Sequence, residues 1–308
     1  MAGNRDFLDP KVLSRLMGLP MHARSPMLGS VTGMHRSPIK GSSLEFAQYR
    51  KYVPGDDTRR LDWRVWGRTD RYYLKEFEAD TNLRLVLLVD VSGSMAYGPE
   101  GATRLDYARK LAGTMAYLAA RQGDAVGLWS SAGGEKSPDV SPIHLPARRG
   151  PAHLGLVLDS IGELKPGGGT SLVQSLHDAA EQVSQRALIV ILSDLFTESA
   201  ELRSAIQHLR FRKHDISLMH LLDQQELEFT FDRPARFVDL EGGDAVLTDP
   251  NDVAKVYRQA IREWLAEIDE IVRTTGIDYH RIMLQEDYAA VLARFLLGRT
   301  PKRSGRGR

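Results

Sequence analysis

From Leu83 onward the chain alternates between two textures. The runs "LRLVLLVD" (residues 83–90) and "ALIVILSD" (187–194) are apolar without interruption, which predicts strands covered on both faces of a parallel sheet. Between such runs the apolar residues recur at helical spacing. In "TRLDYARKLAGTMAYLAARQG", Leu105, Ala108, Leu111, Met115 and Leu118 share one face. Thr103 with Asp106 three residues on makes a capping box with Asp in place of Glu, and Gly123 closes the helix. Further along, "AVGLWSS" and "DISLMHLLD" read as strands and "IHLP" as a short edge strand. "HLGLVLDSIGEL", "TSLVQSLHDAAEQVS" and residues 198–211 read as helices, with "PGGG" a turn. "ARFVDLEGGDAVLTD" predicts a hairpin turning at "EGGD". A long helix capped by Asp249 or Asn251 follows, then the strand "IDYHRIML" and the helix "DYAAVLARFLLG".

Strands separated by helices imply right-handed crossovers. The expected fold class is therefore α/β, a doubly wound and mostly parallel sheet of Rossmann-like type, with an N-terminal extension and a small β-hairpin insertion. We divide the chain into an N-terminal segment (1–80), the α/β domain (81–285) and a C-terminal helix with a basic tail (286–308). In the first segment, "LDPKVLSRLMGLP" predicts a short helix capped by Asp9, with Pro10 in its first turn and Gly18 and Pro20 ending it. Residues 21–44 show no period and are expected to be loop. The block that follows is dense in Arg, Asp and aromatic residues, with a turn at "PGDD" and an exposed strand at "YYLKEF".

Composition narrows the function classes. The 308 residues are 42% hydrophobic and 26% charged with a net charge of +1, so bulk charge makes no case for a nucleic-acid or polyanion partner. There is no cysteine, which removes disulfides, thiolate metal sites and cysteine nucleophiles and suits a reducing, cytoplasmic location. The N-terminus lacks the apolar core of a secretory signal, and the longest apolar runs fall far short of the ~20 residues of a membrane span. No "GxxxxGK[ST]", "GxSxG" or "HExxH" occurs, which argues against P-loop ATPases, esterases and zincin proteases.

Oxygen-bearing side chains collect where the sheet is expected to bind ligands, beyond the carboxyl ends of its strands. Asp90, Ser92 and Ser94 follow the first long strand, Thr170 follows three glycines and opens a helix, and Asp194 follows "ALIVILS". An all-oxygen set with neutral hydroxyls suits a hard cation, Mg²⁺ or Mn²⁺, that stays electrophilic and keeps a coordination position open. Taken singly, Asp and Ser after a strand serve equally as helix caps, and Thr170 as the N-cap of its helix. The set "DVSGS", "GGGT", "LSD" resembles the metal-ion-dependent adhesion site of von Willebrand factor type A domains. That resemblance implies that Asp90, Ser92, Ser94, Thr170 and Asp194 hold Mg²⁺ or Mn²⁺ and that a partner protein's carboxylate completes the shell.

"EFAQYRKYVPGDDTRRLDWRVWGRTDRYYLKEFE" carries a second likeness. Through Glu45, Tyr49, Arg50, Tyr52, Pro54, Gly55, Asp56, Asp57, Arg59, Asp62, Trp63, Arg64 and Arg68 it is similar to the signature of the bacterial family called domain of unknown function number fifty-eight. Members often accompany MoxR-type AAA+ ATPases. The resemblance implies a chaperone-like, non-enzymatic, metal-dependent protein-binding adaptor, partnered by a MoxR-type AAA+ ATPase or its client. Many relatives have N-terminal membrane spans, a feature not carried over to this chain. The Arg-Asp-Trp block reads as a structural layer with Trp63 buried against the α/β domain, or as a docking surface built on Arg50, Arg59, Asp62, Trp63, Arg64 and Arg68, since Arg and Trp are typical interface anchors. Its aspartates oppose a nucleic-acid reading. The alternative function is a Mg²⁺- or Mn²⁺-dependent phosphohydrolase, with no candidate base near the motif in sequence.

Overall fold

A computed structural model describes residues 5–23, 36–52, 61–80, 83–131, 142–167, 171–231, 235–237, 240, 246–248 and 250–299. Its centre is a six-stranded sheet built from β3 (Arg84–Val89), β4 (Ala125–Ser130), β5 (His144–Arg148), β6 (Leu188–Ser193), β7 (Asp215–Leu222) and β10 (Asp278–Met283). The strand order is β10-β7-β6-β3-β4-β5, all parallel except the antiparallel edge strand β5. The mixed α/β, mostly parallel architecture expected from the pattern is thus present.

The uninterrupted apolar strands are explained by the two layers that cover them. In β3, Leu85, Leu87 and Val89 enter one core and Val86 and Leu88 the other, as the two-residue repeat of a strand dictates. In β6, Leu188, Val190 and Leu192 divide from Ile189 and Ile191 in the same way. The first core packs the sheet on α1 (Pro10–Leu16), α3 (Arg104–Arg121), α4 (Pro151–Glu163) and α9 (Tyr288–Arg299). The second packs it on α5 (Leu172–Gln182), α6 (Ser199–Phe211) and α8 (Pro250–Thr275). The Thr103–Asp106 capping box forms as predicted. The chain leaves β3 for β4 on one side and later returns to β6 on the other, so the strand order reverses between β3 and β6.

The N-terminal segment has two parts. Phe7, Val12, Leu16 and Met21 are buried in the first core. Gln122 ties the turn after α1, accepting from the Met21 amide at 2.9 Å and donating to the Leu19 carbonyl at 3.0 Å. The second part is an antiparallel ribbon of β1 (Arg36–Lys51) and β2 (Tyr73–Asp80) with α2 (Trp63–Thr69) between them. This corrects the loop expected over residues 21–44, because 36–44 run in β1; pairing with β2 supplies backbone hydrogen bonds that no local pattern announces. A second correction concerns Trp63, which is 59% exposed rather than buried. The predicted hairpin is present as β8 (Ala235–Phe237) paired with β9 (Val246–Thr248). The long helix begins at Pro250, which places Asn251 inside it rather than at its cap. The turns "PGDD" and "EGGD", the candidate cap Asp249 and the basic tail lie outside the described residues. Among the described residues no helix is long and apolar enough to cross a membrane.

Gly113 on α3 is where the N-terminal segment comes closest. A Cβ there would stand 2.3 Å from the Phe7 ring. Gly113→Ala should destabilise the protein by about 1–3 kcal/mol through overpacking, and by less in a Phe7→Leu background, as urea melts of the four proteins would read. A neutral Gly113→Ala would mean that Phe7 does not dock on α3.

Candidate functional site

Asp90 and Asp194 emerge from the carboxyl ends of β3 and β6, the adjacent strands at the reversal, as the general rule for such sheets requires. Both are 1% exposed. Asp90 Oδ1 accepts from the Ser92 amide at 2.9 Å and from Ser131 Oγ at 3.1 Å, and Oδ2 accepts from Ser193 Oγ at 2.6 Å. Three of its roughly four acceptor positions are therefore taken. Ser92 and Ser94 flank the start of a 3₁₀ turn over Gly93–Ala96, and their hydroxyls lie 2.9 Å apart. The Gly167 amide donates to the Val91 carbonyl at 2.9 Å, which brings the glycine-rich loop beside the motif. Thr170, at the end of that loop, lies outside the described residues.

The backbone after Asp194 is bent sharply. Leu195 has φ +60, uncommon for a residue with a Cβ, and its amide donates to Ser193 Oγ at 2.8 Å. Strain of this kind persists where surrounding contacts over-determine it. Here the buried Leu195 side chain and Ser193 hold the turn that aims Asp194.

One side chain at the candidate site escaped the sequence reading. Arg104, the first residue of α3, is completely buried. Its guanidinium donates to Asp194 Oδ2 at 2.5 Å, to the Ser94 carbonyl at 3.0 Å and to Glu226 Oε2. The rings of Tyr97 and Phe196 lie 5.4 and 5.8 Å from its central carbon, within cation–π range. Glu226 belongs to α7 (Gln224–Glu228), whose capping box, Asp223 with Glu226, was an available but unread signal in "DQQE". Burial works against the charge of Arg104, yet Asp194 and Glu226 raise its pKa above the ordinary arginine value.

His220 on β7 sits beneath Asp194. Nε2 is 2.9 Å from the Asp194 carbonyl and so carries the proton, while Nδ1 accepts from the Tyr279 hydroxyl at 2.8 Å. Burial pushes this imidazole down to about 3, so it is a neutral structural strut. Among the described residues there is no group of three or more His, Cys, Asp or Glu side chains placed to hold a metal ion. Any cation here depends on the serine hydroxyls as well as the carboxylates.

In the Arg-Asp-Trp block, Asp62 is buried and caps α2, accepting from the Arg64 and Val65 amides at 2.9 and 3.3 Å. Trp63 meets Trp66 edge-on, and Trp66 stacks on Tyr72 at 6.0 Å. All three rings are solvent-exposed, as are Arg64 and Arg68. Arg50 runs in β1, its side chain outside the described set, and Arg59 lies outside the described residues.

The family model described as "Protein of unknown function DUF58" matches residues 48–267. The chain belongs to this family. Uncharacterized proteins of Mycobacterium bovis and Mycobacterium tuberculosis are 26% identical to it over 304 residues, covering 96% of this chain and 92% of theirs. Among solved structures, the chain is similar to the conserved hypothetical protein BatB from Bacteroides thetaiotaomicron, with 16% identity and a TM-score of 0.46, covering 71% of this chain and 98% of that one. It is also similar to an aerotolerance-related membrane protein from Bacteroides fragilis, with 16% identity and a TM-score of 0.44, covering 70% and 96%.

Burial pushes the Asp194 carboxyl up to about 6 from 3.8; Arg104 pulls against that shift and Asp90 adds to it. In protein stripped of divalent cations, the folded state then holds a proton on Asp194 that the unfolded state has lost. Stability from this group falls as pH rises from about 4 to about 6, by at most about 3 kcal/mol. Asp194→Asn should flatten that slope in urea melts run in EDTA. An unchanged slope would assign the titration to another group.

Proposed function

We propose that this member of the DUF58 family is a metal-dependent protein-binding adaptor. Mg²⁺ or Mn²⁺ sits on the Ser92 and Ser94 hydroxyls, with Asp90, Asp194 and Thr170 completing the donor set directly or through water. A carboxylate from a partner protein takes the outward position. These ligand roles follow the likeness to von Willebrand factor type A adhesion sites; the donor chemistry at the β3 and β6 strand ends supports them.

The observation that carries the reading is a charge imbalance. Asp194 and Glu226 share the buried Arg104 guanidinium, and Asp90 lies close enough to Asp194 to raise its pKa. These carboxylates outnumber the guanidinium, and Asp223, buried beside Glu226, adds to an excess of negative charge that a divalent ion would offset. Asp90 has an acceptor position to spare; Asp194 Oδ1 accepts from the Phe196 amide at 3.3 Å, and the Ser94 hydroxyl also hydrogen-bonds the Asp194 carboxylate. Octahedral Mg²⁺ retains waters readily, so incomplete protein ligation leaves room for a partner's oxygen.

The partner we propose is a MoxR-type AAA+ ATPase or a client it remodels. The exposed Trp63, Trp66 and Tyr72, beside Arg64 and Arg68, supply the aromatic and arginine anchors that such an interface uses. The alternative, a Mg²⁺- or Mn²⁺-dependent phosphohydrolase, needs a base beside the cation. The imidazole beneath Asp194 is His220, and both of its nitrogens are engaged.

Binding of the purified chain to the AAA+ ATPase of its own host should weaken at least about tenfold in EDTA and in Ser92→Ala. Trp63→Ala should weaken it equally with and without metal. Binding that survives both EDTA and Ser92→Ala contradicts the metal-dependent interface. Phosphatase turnover with Mn²⁺ that disappears in Asp90→Ala would put the enzyme reading in its place.

A further inference from the structure

The opposite end of the sheet carries a second cluster of charge. A cavity of about 280 Å³ opens at the amino-terminal edge of β6, β7 and β10, lined by Arg186, Arg210, Lys213 and His214. It lies a strand length, roughly 20 Å, from Asp90 and Asp194, and the proposed adaptor site makes no use of it. The carboxylates on its wall, Asp215 and Asp278, are each paired with the guanidinium of Arg299 at 2.5 Å. Among the described residues, Arg210 and Lys213 have no carboxylate partner.

The wall is built and not merely basic. His214 is 7% exposed, and its Nδ1 accepts the Ala187 amide at 3.2 Å, which leaves the ring proton on Nε2. Nε2 is buried with no hydrogen-bond partner. A buried donor left unmade is costly, and here it belongs to a residue that lines the cavity. Burial, together with the charges of Arg212 and Arg186, pushes this imidazole down to about 4, so it is a neutral N–H donor. Lys213 holds φ +66 just beyond the end of α6, a position where glycine carries no penalty. Gly276, at φ +62, lets the Arg210 guanidinium lie across the chain; a Cβ there would come within 3.2 Å of it.

We propose that this cavity is an oxyanion site that takes a phosphate group. Arg186, Arg210 and Lys213 supply charge, and the unpartnered His214 Nε2–H lies in the wall behind them. Guanidinium groups match the oxygens of phosphate in geometry as well as charge, and the volume suits a phosphate or small phosphomonoester. The group can arrive free in solution or on a lipid headgroup.

The test uses the full chain in EDTA at pH 7.5, so that the cation site plays no part. Inorganic phosphate is titrated at constant ionic strength, balanced with sodium chloride, while the imidazole ¹H–¹⁵N signals are followed by NMR. The expected result is a saturable shift of His214 Nε2, with affinity reduced at least about tenfold in Arg210→Ala and in Lys213→Gly. Glycine accepts the backbone angle at 213, so the second variant removes the charge without adding strain. Glycerol 3-phosphate and sedimentation with phosphatidylcholine vesicles containing phosphatidic acid separate the soluble source from the lipid one. A shift that does not saturate, one that chloride alone reproduces, or variants that titrate like the wild type would overturn the proposal.

Discussion

The buried guanidinium of Arg104 is the interaction on which the candidate site depends. A charge without solvent is tolerated only when partners surround it, and Arg104 finds them on three separate pieces of chain. Asp194 comes from the end of β6, Glu226 from α7 and the Ser94 carbonyl from the 3₁₀ turn after β3. The Tyr97 and Phe196 rings close over it. Removing any partner would leave the rest desolvated, so the positions of Ser94 and Asp194 are set from inside the protein. The capping box at Thr103 fixes where α3 begins and hence where Arg104 points from. Arg104 reaches Asp194 from the Oδ2 side, away from Oδ1.

The same sheet separates charge between its ends. Beyond the carboxyl edge, Asp90, Asp194 and Glu226 outnumber Arg104. Beyond the amino edge, Arg186, Arg210, Lys213 and Arg299 outnumber Asp215 and Asp278. The apolar interior between them consists of alternating side chains packed into two cores, and it offers neither end a counter-charge. Each imbalance is therefore a local one, and the two proposals assign an ion or a partner's group to each end. The β1–β2 ribbon adds a third surface of different character, with its aromatic rings turned outward beside Arg64 and Arg68.

Much of this architecture is legible in the sequence, because two-sided burial leaves a plain signature. "LVLLV" and "LIVIL" have no polar residue because all of residues 85–89 and 188–192 are buried. Capping residues mark α1 and α3 for similar local reasons. Asp90, Ser92, Ser94 and Asp194 stand out because polar oxygens end apolar strands. What stayed hidden depends on contacts distant in sequence. Arg104 looks like any solvated arginine in the first turn of a helix, and its partners lie as far as 122 positions away. Residues 36–44 hold Gly, Ser and Pro and read as loop, since only pairing with β2 makes them a strand. Trp63 invites the expectation of burial on hydrophobicity alone, but its ring meets that of Trp66, which stacks on Tyr72, and all three are exposed. His214 reads as an ordinary histidine until the Ala187 amide claims one nitrogen and burial isolates the other.

The central claim is that the buried carboxylate excess around Arg104 accommodates one divalent cation at Ser92 and Ser94. Isothermal titration of Mn²⁺ into the cation-free chain, wild type beside Asp90→Asn, tests it most directly. Asn keeps the size of Asp90 and removes one of the uncompensated negative charges. The account predicts one site in the wild type and an affinity at least about tenfold weaker in the variant. Equal affinity in the two proteins, or no binding to the wild type, would contradict it.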